Sequence, residues 1–188
     1  DLSGTADRLI NLVNDLLTIS RLEAGGQIQP KPQPCEVGKL VKDIVKTLQP
    51  LAAKKHQNIV IREEFEAAPA LMDADLFGWT FGNLLDNAIS YASENSVITV
   101  TTSRAEDKQN YLISVNNHGS LIPEEEGQKL FSQFFRGEEA KKIKPAGSGL
   151  GLYIAKIAAE ANGGKIYCES SRESGTTFYF TIPISKIL

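Results

Sequence analysis

Asn83-Leu84-Leu85-Asp86-Asn87-Ala88 lies within a segment, residues 73–92, in which Phe77, Phe81, Leu84, Leu85 and Ala88 recur every three or four positions. That period predicts one helix with a single buried stripe. Asn83 and Asn87 stand four apart, so their carboxamides share a different face of the same helix. Such a pair reads either as a solvated face or as neutral oxygen donors for a hard cation. Mg2+ prefers oxygen ligands, keeps several waters and takes further ligands from substrate phosphates. A neutral Asn oxygen can ligate it without adding negative charge beside a polyphosphate.

Outward from this helix, residues 33–37 read as a short strand, 39–55 as a helix with Leu40, Ile44, Val45 and Leu48 inward, and 59–65 as a strand. On the other side, 97–103 and 111–115 alternate as strands, and 123–131 opens a short helix with Pro123 in its first turn. Residues 150–161 form a helix stopped by Gly163-Gly164, and 165–170 and 176–184 close the chain as a hairpin across Ser174-Gly175. Helices and antiparallel hairpins in this order predict an α+β fold, a two-layer α/β sandwich with helices on one face of a mixed sheet.

The last helix is entered through Gly147-Ser148-Gly149-Leu150-Gly151-Leu152, preceded by Lys141, Lys142 and Lys144. Three glycines let backbone approach a polyanion, and the helix start offers free N–H groups and a positive dipole end. The spacing is not that of a dinucleotide fold, because the glycines follow a basic loop and not a strand. No Gly-Lys-Ser/Thr follows, so it is not a P-loop.

The first 26 residues differ in kind. Leu9, Leu12, Leu16 and Ile19 recur at helical spacing, with Ile10, Val13 and Leu17 beside them. So wide an apolar face predicts a bundle helix that needs a partner: an upstream segment, a second copy, or the following domain. Gly25-Gly26 stops the helix, and Pro30, Pro32 and Pro34 extend the linker. The expected organisation is 1–26 helix, 27–34 linker and 35–188 the folded domain. The net charge of −3 and the scattered basic residues give no field of the kind that binds nucleic acid. Cys35 and Cys168 lack the spacing of a zinc site or a disulfide framework, which fits a reducing, cytoplasmic setting. No apolar run is long enough to cross a bilayer, so any membrane connection is expected through upstream segments.

Residues 83–88 with Tyr91 resemble the N box of the histidine-kinase ATP-binding domain, a Bergerat-type fold in the ATPase superfamily that includes type II topoisomerases. Leu130-Phe131-Ser132-Gln133-Phe134-Phe135-Arg136 resembles its F box, Gly147 to Leu152 its second glycine box, and Gly175-Thr176-Thr177-Phe178 its closing strand. Residues 8–25 resemble the second helix of the dimerisation and phosphotransfer hairpin. The resemblance implies ATP and Mg2+ as cofactors, with Asn87 as the metal ligand and Asn83 acting at the phosphates. Gly147, Gly149, Leu150, Gly151 and Leu152 would shape the phosphate cradle, and Tyr91, Asn117 and Gly119 would line the nucleotide site. Arg136, or a lid lysine such as Lys142 or Lys144, would meet the γ-phosphate. It further implies a homodimer through the N-terminal helix, transfer to a histidine on a helix not in this sequence, and relay to a response-regulator receiver domain.

The sequence departs from the family in four places. Neither His56 nor His118 lies in a His-Glu-x-x-x-Pro context. Asn117-His118-Gly119-Ser120-Leu121 stands where the family has Asp-x-Gly-x-Gly, so Asn117 replaces the aspartate that accepts from the adenine amino group. Leu121 replaces a glycine, which requires a different loop path or strain. Ser90 replaces a basic residue facing the phosphates. These departures keep a second expectation open, a degenerate pseudokinase used for dimerisation, regulation or docking.

Overall fold

The computed structural model describes residues 10, 12–20, 28–64 and 69–184. Residues 12–20 form helix α1. There follow β1 (Gln33–Cys35), α2 (Val37–Ala53), β2 (Asn58–Glu63), β3 (Ala70–Met72), α3 (Ala74–Tyr91), β4 (Val97–Arg104) and β5 (Asn110–Asn117). Then come α4 (Glu124–Gly127), α5 (Glu138–Ile143), α6 (Gly151–Ala161), β6 (Ile166–Ser171) and β7 (Gly175–Pro183). The main sheet has the order β2-β4-β5-β7-β6, with β2 parallel to β4 and every other pair antiparallel. A small antiparallel pair, β1-β3, stands apart. The mixed sheet and the helices on it are the predicted α/β sandwich.

The stripe on α3 explains how the layers join. Phe77, Phe81, Leu84, Leu85 and Ala88 are all buried, and Phe77 and Phe81 meet Phe180 of β7 at ring-centroid distances of 5.6 and 6.4 Å. Asp73 caps α3, its carboxylate accepting from the N–H groups of Asp75 and Leu76. Along β5 the two-residue period buries Tyr111, Ile113 and Val115, and Asn117 continues the same face. A polar amide therefore occupies the end of an apolar row.

Two elements escaped the sequence reading, and one shrank. β3 is three residues long, and α5 lacks an apolar period. The helix expected over 123–131 is confined to Glu124–Gly127; beyond it the chain runs through turns in which Ser132 N–H donates to Lys129 and Phe135 N–H to Ser132. Phe134 adopts φ +62°, which no helix continues through.

Helix α1 touches its own domain along one edge. Ile19 packs with Leu76, Leu150, Ile154 and Ala158, with Leu12 and Ile28 at the margin, whereas Ile10, Val13, Leu16 and Leu17 are exposed. The expected stop at Gly25-Gly26 and residues 1–9, 11 and 21–27 lie outside the described residues. Among the described residues no helix is long and apolar enough to cross a membrane.

Candidate functional site

Between α3, the end of β5 and the segment 120–149 lies a cavity of about 640 Å³, well within the size range of small-molecule sites. Asn83, Asn87 and Tyr91 line it from α3, Asn117 from β5, Gly147, Gly149, Gly151 and Leu152 from the glycine segment, and Arg136 and Lys144 from the loop between. Three expected residues lie elsewhere. Leu150 is fully buried beneath the cavity wall, Gly119 stands behind it, and Lys142 points outward and pairs with Glu139 at 2.5 Å. The bond to Glu139 raises the Lys142 pKa and holds its charge on the outer surface of α5.

Each wall has a local cause. Asn83 Nδ2 donates to Trp79 O at 2.7 Å, one turn back on α3, which fixes the carboxamide at the helix surface. The loop after β5 is stitched to the end of α3: Ser93 N–H donates to His118 O at 2.9 Å and Ser120 N–H to Tyr91 O at 3.3 Å. A Cβ on Gly119 would stand 2.1 Å from Tyr91 O, so only glycine lets these strands of backbone pass. Leu121 is not among the residues with positive φ. The loop has taken a path that a leucine accepts, without the strain that its substitution for glycine would otherwise impose.

The cavity's mobile-looking rim is in fact heavily tied. Arg136 donates through Nη1 to Pro145 O at 3.0 Å and through Nη2 to Ala140 O at 3.1 Å and to Lys144 O. Its guanidinium thus gathers carbonyls at the end of α5, where a cation is favoured. Gly149, at φ +73°, turns beneath it, and a Cβ there would meet the Phe134 carbonyl carbon at 2.8 Å. Lys144 reaches back to α3, with Nζ 3.2 Å from Asp86 Oδ2 and 3.0 Å from Ser90 Oγ. Ser148 Oγ donates to Asp15 Oδ2 of α1 at 2.7 Å and accepts from Leu150 N–H at 3.2 Å. Helix α1 therefore contributes to the site, with Leu12 and Asp15 on its wall. The sequence reading missed this contribution, because nothing in a residue's own spacing foretells a partner 133 positions away.

Asn117 is the site's anomaly. It is 2% exposed, it lines the cavity, and its Nδ2 has no hydrogen-bond partner. A buried donor left unpaired costs about 1–3 kcal/mol. Its strand neighbour Thr176 is already engaged, hydrogen-bonded to Ser170 Oγ at 2.8 Å and to Ser120 O at 3.3 Å.

A sequence profile of the histidine kinase-, DNA gyrase B- and HSP90-like ATPases matches residues 72–186, more than half of the chain and every wall of the cavity except α1. The chain belongs to this ATPase family. Within it, the chain is 29% identical over 180 residues to the sensor histidine kinase WalK of Bacillus subtilis (strain 168), covering 96% of this chain and 29% of that protein. It is 33% identical over 180 residues to the histidine protein kinase SaeS of Staphylococcus aureus (strain USA300), covering 94% of this chain and 50% of that protein. The chain thus spans half or less of these relatives. Among solved structures, the catalytic domain of histidine kinase ThkA superposes with a TM-score of 0.71 at 29% identity, covering 83% of this chain and 99% of that one. The full-length ShkA structure in complex with AMPPNP has the same fold, with a TM-score of 0.81 at 24% identity over 97% of this chain and 37% of that one. The family assignment accounts for the mixed sheet and the helices packed on it.

Proposed function

We propose that this chain is the ATP-binding catalytic domain of a two-component sensor histidine kinase. It transfers the γ-phosphoryl group of Mg-ATP to a histidine outside this sequence, for relay to a response-regulator receiver domain. The observation that carries the reading is the gathering of Asn83, Asn87, Tyr91, Asn117 and the glycine segment around one cavity in a member of an ATPase family. A structure of ThkA in complex with the response regulator protein TrrA, with a TM-score of 0.76 at 26% identity, supports the relay.

The residues fit Mg2+ in a specific way. Among the described residues no three His, Cys, Asp or Glu side chains are grouped to hold a metal ion. A half-buried Asn oxygen facing a cavity suits an ion that draws its other ligands from phosphates and water. Asn87 holds the ion in this reading, and Asn83 stands one turn away at the phosphates. When bound, Mg2+ supplies charge neutralisation on the transferred group. Phosphoryl transfer asks the protein chiefly for positioning and electrostatics. Backbone from Gly147 to Gly151 shapes the cradle, Arg136 fixes the lid by holding its carbonyls, and Lys144 is the lid cation within reach of the cavity. The domain works on the cytoplasmic side of its parent, and the exposed Ile10, Val13, Leu16 and Leu17 form the homodimer seam.

Protease protection tests this reading. Mg-ATP should slow cleavage within residues 141–148, and the Asn117→Asp variant should show the same protection at lower nucleotide concentration, because a charge-assisted bond to the adenine amino group is about twice as strong as a neutral one. Protection of neither protein would favour the second reading, a pseudokinase module. That reading has its own support in the neutral Asn117 and in Ser90, which leave the site fewer charges than the family pattern it resembles.

A further inference from the structure

Helix α1 meets the domain along Leu12, Asp15 and Ile19, which stand three and four positions apart and so share one face. Ile19 is the anchor, buried in the cluster it forms with Leu76, Leu150, Ile154 and Ala158. One and two turns back along that face, Asp15 and Leu12 line the cavity. A carboxylate on a helix from outside the sandwich is thus part of the cavity wall.

The position of this carboxylate is what matters. Its Oδ2 accepts from Ser148 Oγ at 2.7 Å, and the same hydroxyl accepts from the Leu150 N–H at the head of α6 at 3.2 Å. Through one hydroxyl, Asp15 takes the place beside a helix N-terminus that favours an anion. Asp86 and Glu139 also line the cavity, but they are paired with Lys144 and Lys142. Asp15 has no cation partner among the described residues. A polyphosphate entering beside the glycine segment would meet it as a like charge.

We infer that the docked α1 is an autoinhibitory contact, in which the Asp15 carboxylate holds the anion position at the glycine segment and opposes the phosphates of an incoming nucleotide. The inference rests on the nucleotide-binding reading given above. Such a coupling is reciprocal: the factor by which docking lowers nucleotide affinity is the factor by which bound nucleotide weakens docking. A shift of α1 alone therefore changes the affinity of the cavity.

Hydrogen exchange and calorimetry on the intact chain test the two directions. Saturating Mg-ATP should accelerate exchange at the amides of residues 12–20 severalfold, because the nucleotide favours the undocked helix. Asp15→Asn keeps an oxygen for the Ser148 hydroxyl and removes the charge, so its Mg-ATP dissociation constant should fall by about threefold or more. Exchange that nucleotide slows or leaves unchanged overturns the inference while the nucleotide reading stands, as does an unchanged constant in Asp15→Asn. A higher constant in that variant also overturns it, and makes Asp15 a ligand of the ion where the Mg2+ dependence is lost as well. Absence of ATP binding by both proteins overturns the nucleotide reading and the inference with it. The exchange comparison needs no variant, so a misfolded Asp15→Asn protein would not rescue the inference.

Discussion

Lys144 ties the lid of the cavity to its floor: its ammonium sits 3.2 Å from the Asp86 carboxylate, with Ser90 Oγ at 3.0 Å. Both ion-pair partners are nearly half exposed, so the pair is worth no more than about 1 kcal/mol to global stability. Its effect is local, on how readily the lid lifts. Lys144→Ala should move the thermal midpoint by no more than roughly 4 °C. Cleavage of the 141–148 segment by a nonspecific protease should rise severalfold, because opening no longer breaks that pair. Cleavage at the unmodified rate would show that Arg136 alone holds the lid.

Ser148 gives a second prediction. Its hydroxyl accepts from the Leu150 N–H at the head of α6 and donates to Asp15. Ser148→Ala removes both bonds at once. Loss of one such hydrogen bond costs about 1 kcal/mol, or roughly fivefold in the opening equilibrium. Hydrogen exchange at the Leu150 amide should accelerate by about that factor. Asp15→Ala should leave the Leu150 bond intact and accelerate exchange mainly in α1.

Gly119 tests the wall behind Asn117. A methyl group there would overlap Tyr91 O, and overpacking of this kind costs about 1–3 kcal/mol. Gly119→Ala should lower the thermal midpoint by roughly 2–10 °C in a scan of the intact chain. An unchanged midpoint would mean that the stitch between β5 and α3 yields without cost.

How far the sequence foretold this site follows from where its information is stored. α3 was legible because Phe77, Phe81, Leu84, Leu85 and Ala88 repeat the helical period and because Asp73 caps the start. The resulting geometry carries Asn83 and Asn87 to the cavity. Helix α5 was not legible, because its order comes from local pairs such as Glu138–Lys141 and from Arg136 holding its last carbonyls. The helix expected after Pro123 failed at the turns around Lys129 and Ser132, where Leu130 and Phe131 pack onto the core without completing a helical face. The docking of α1 rests on Ile19 finding partners on α3 and α6 and on Asp15 finding Ser148 in the glycine segment, a tertiary fact with no local signature.

The thiols carry a pH prediction. Burial, with help from the Glu169 charge, pushes the Cys168 pKa up from 9.0 to about 11. A raised pKa in the folded state favours the neutral thiol there. The associated stability is complete below pH 9 and is lost as the pH rises through 11. At pH 8 the native protein should react slowly with a disulfide reagent, since the thiolate is the nucleophile. In denaturant both Cys35 and Cys168 should react fully. Rapid native labelling of Cys168 at pH 8 would contradict the burial argument.

The central claim is that α3 and the glycine segment form one Mg-ATP site, and Asn87 is where it is most exposed to refutation. Calorimetric titration of ATP into the chain, with and without Mg2+, should show saturable one-to-one binding strengthened by the ion. In Asn87→Ala that strengthening should vanish while the thermal midpoint stays within a few degrees. Undiminished Mg2+ dependence in the variant, or no ATP binding by the unmodified chain, would contradict the account.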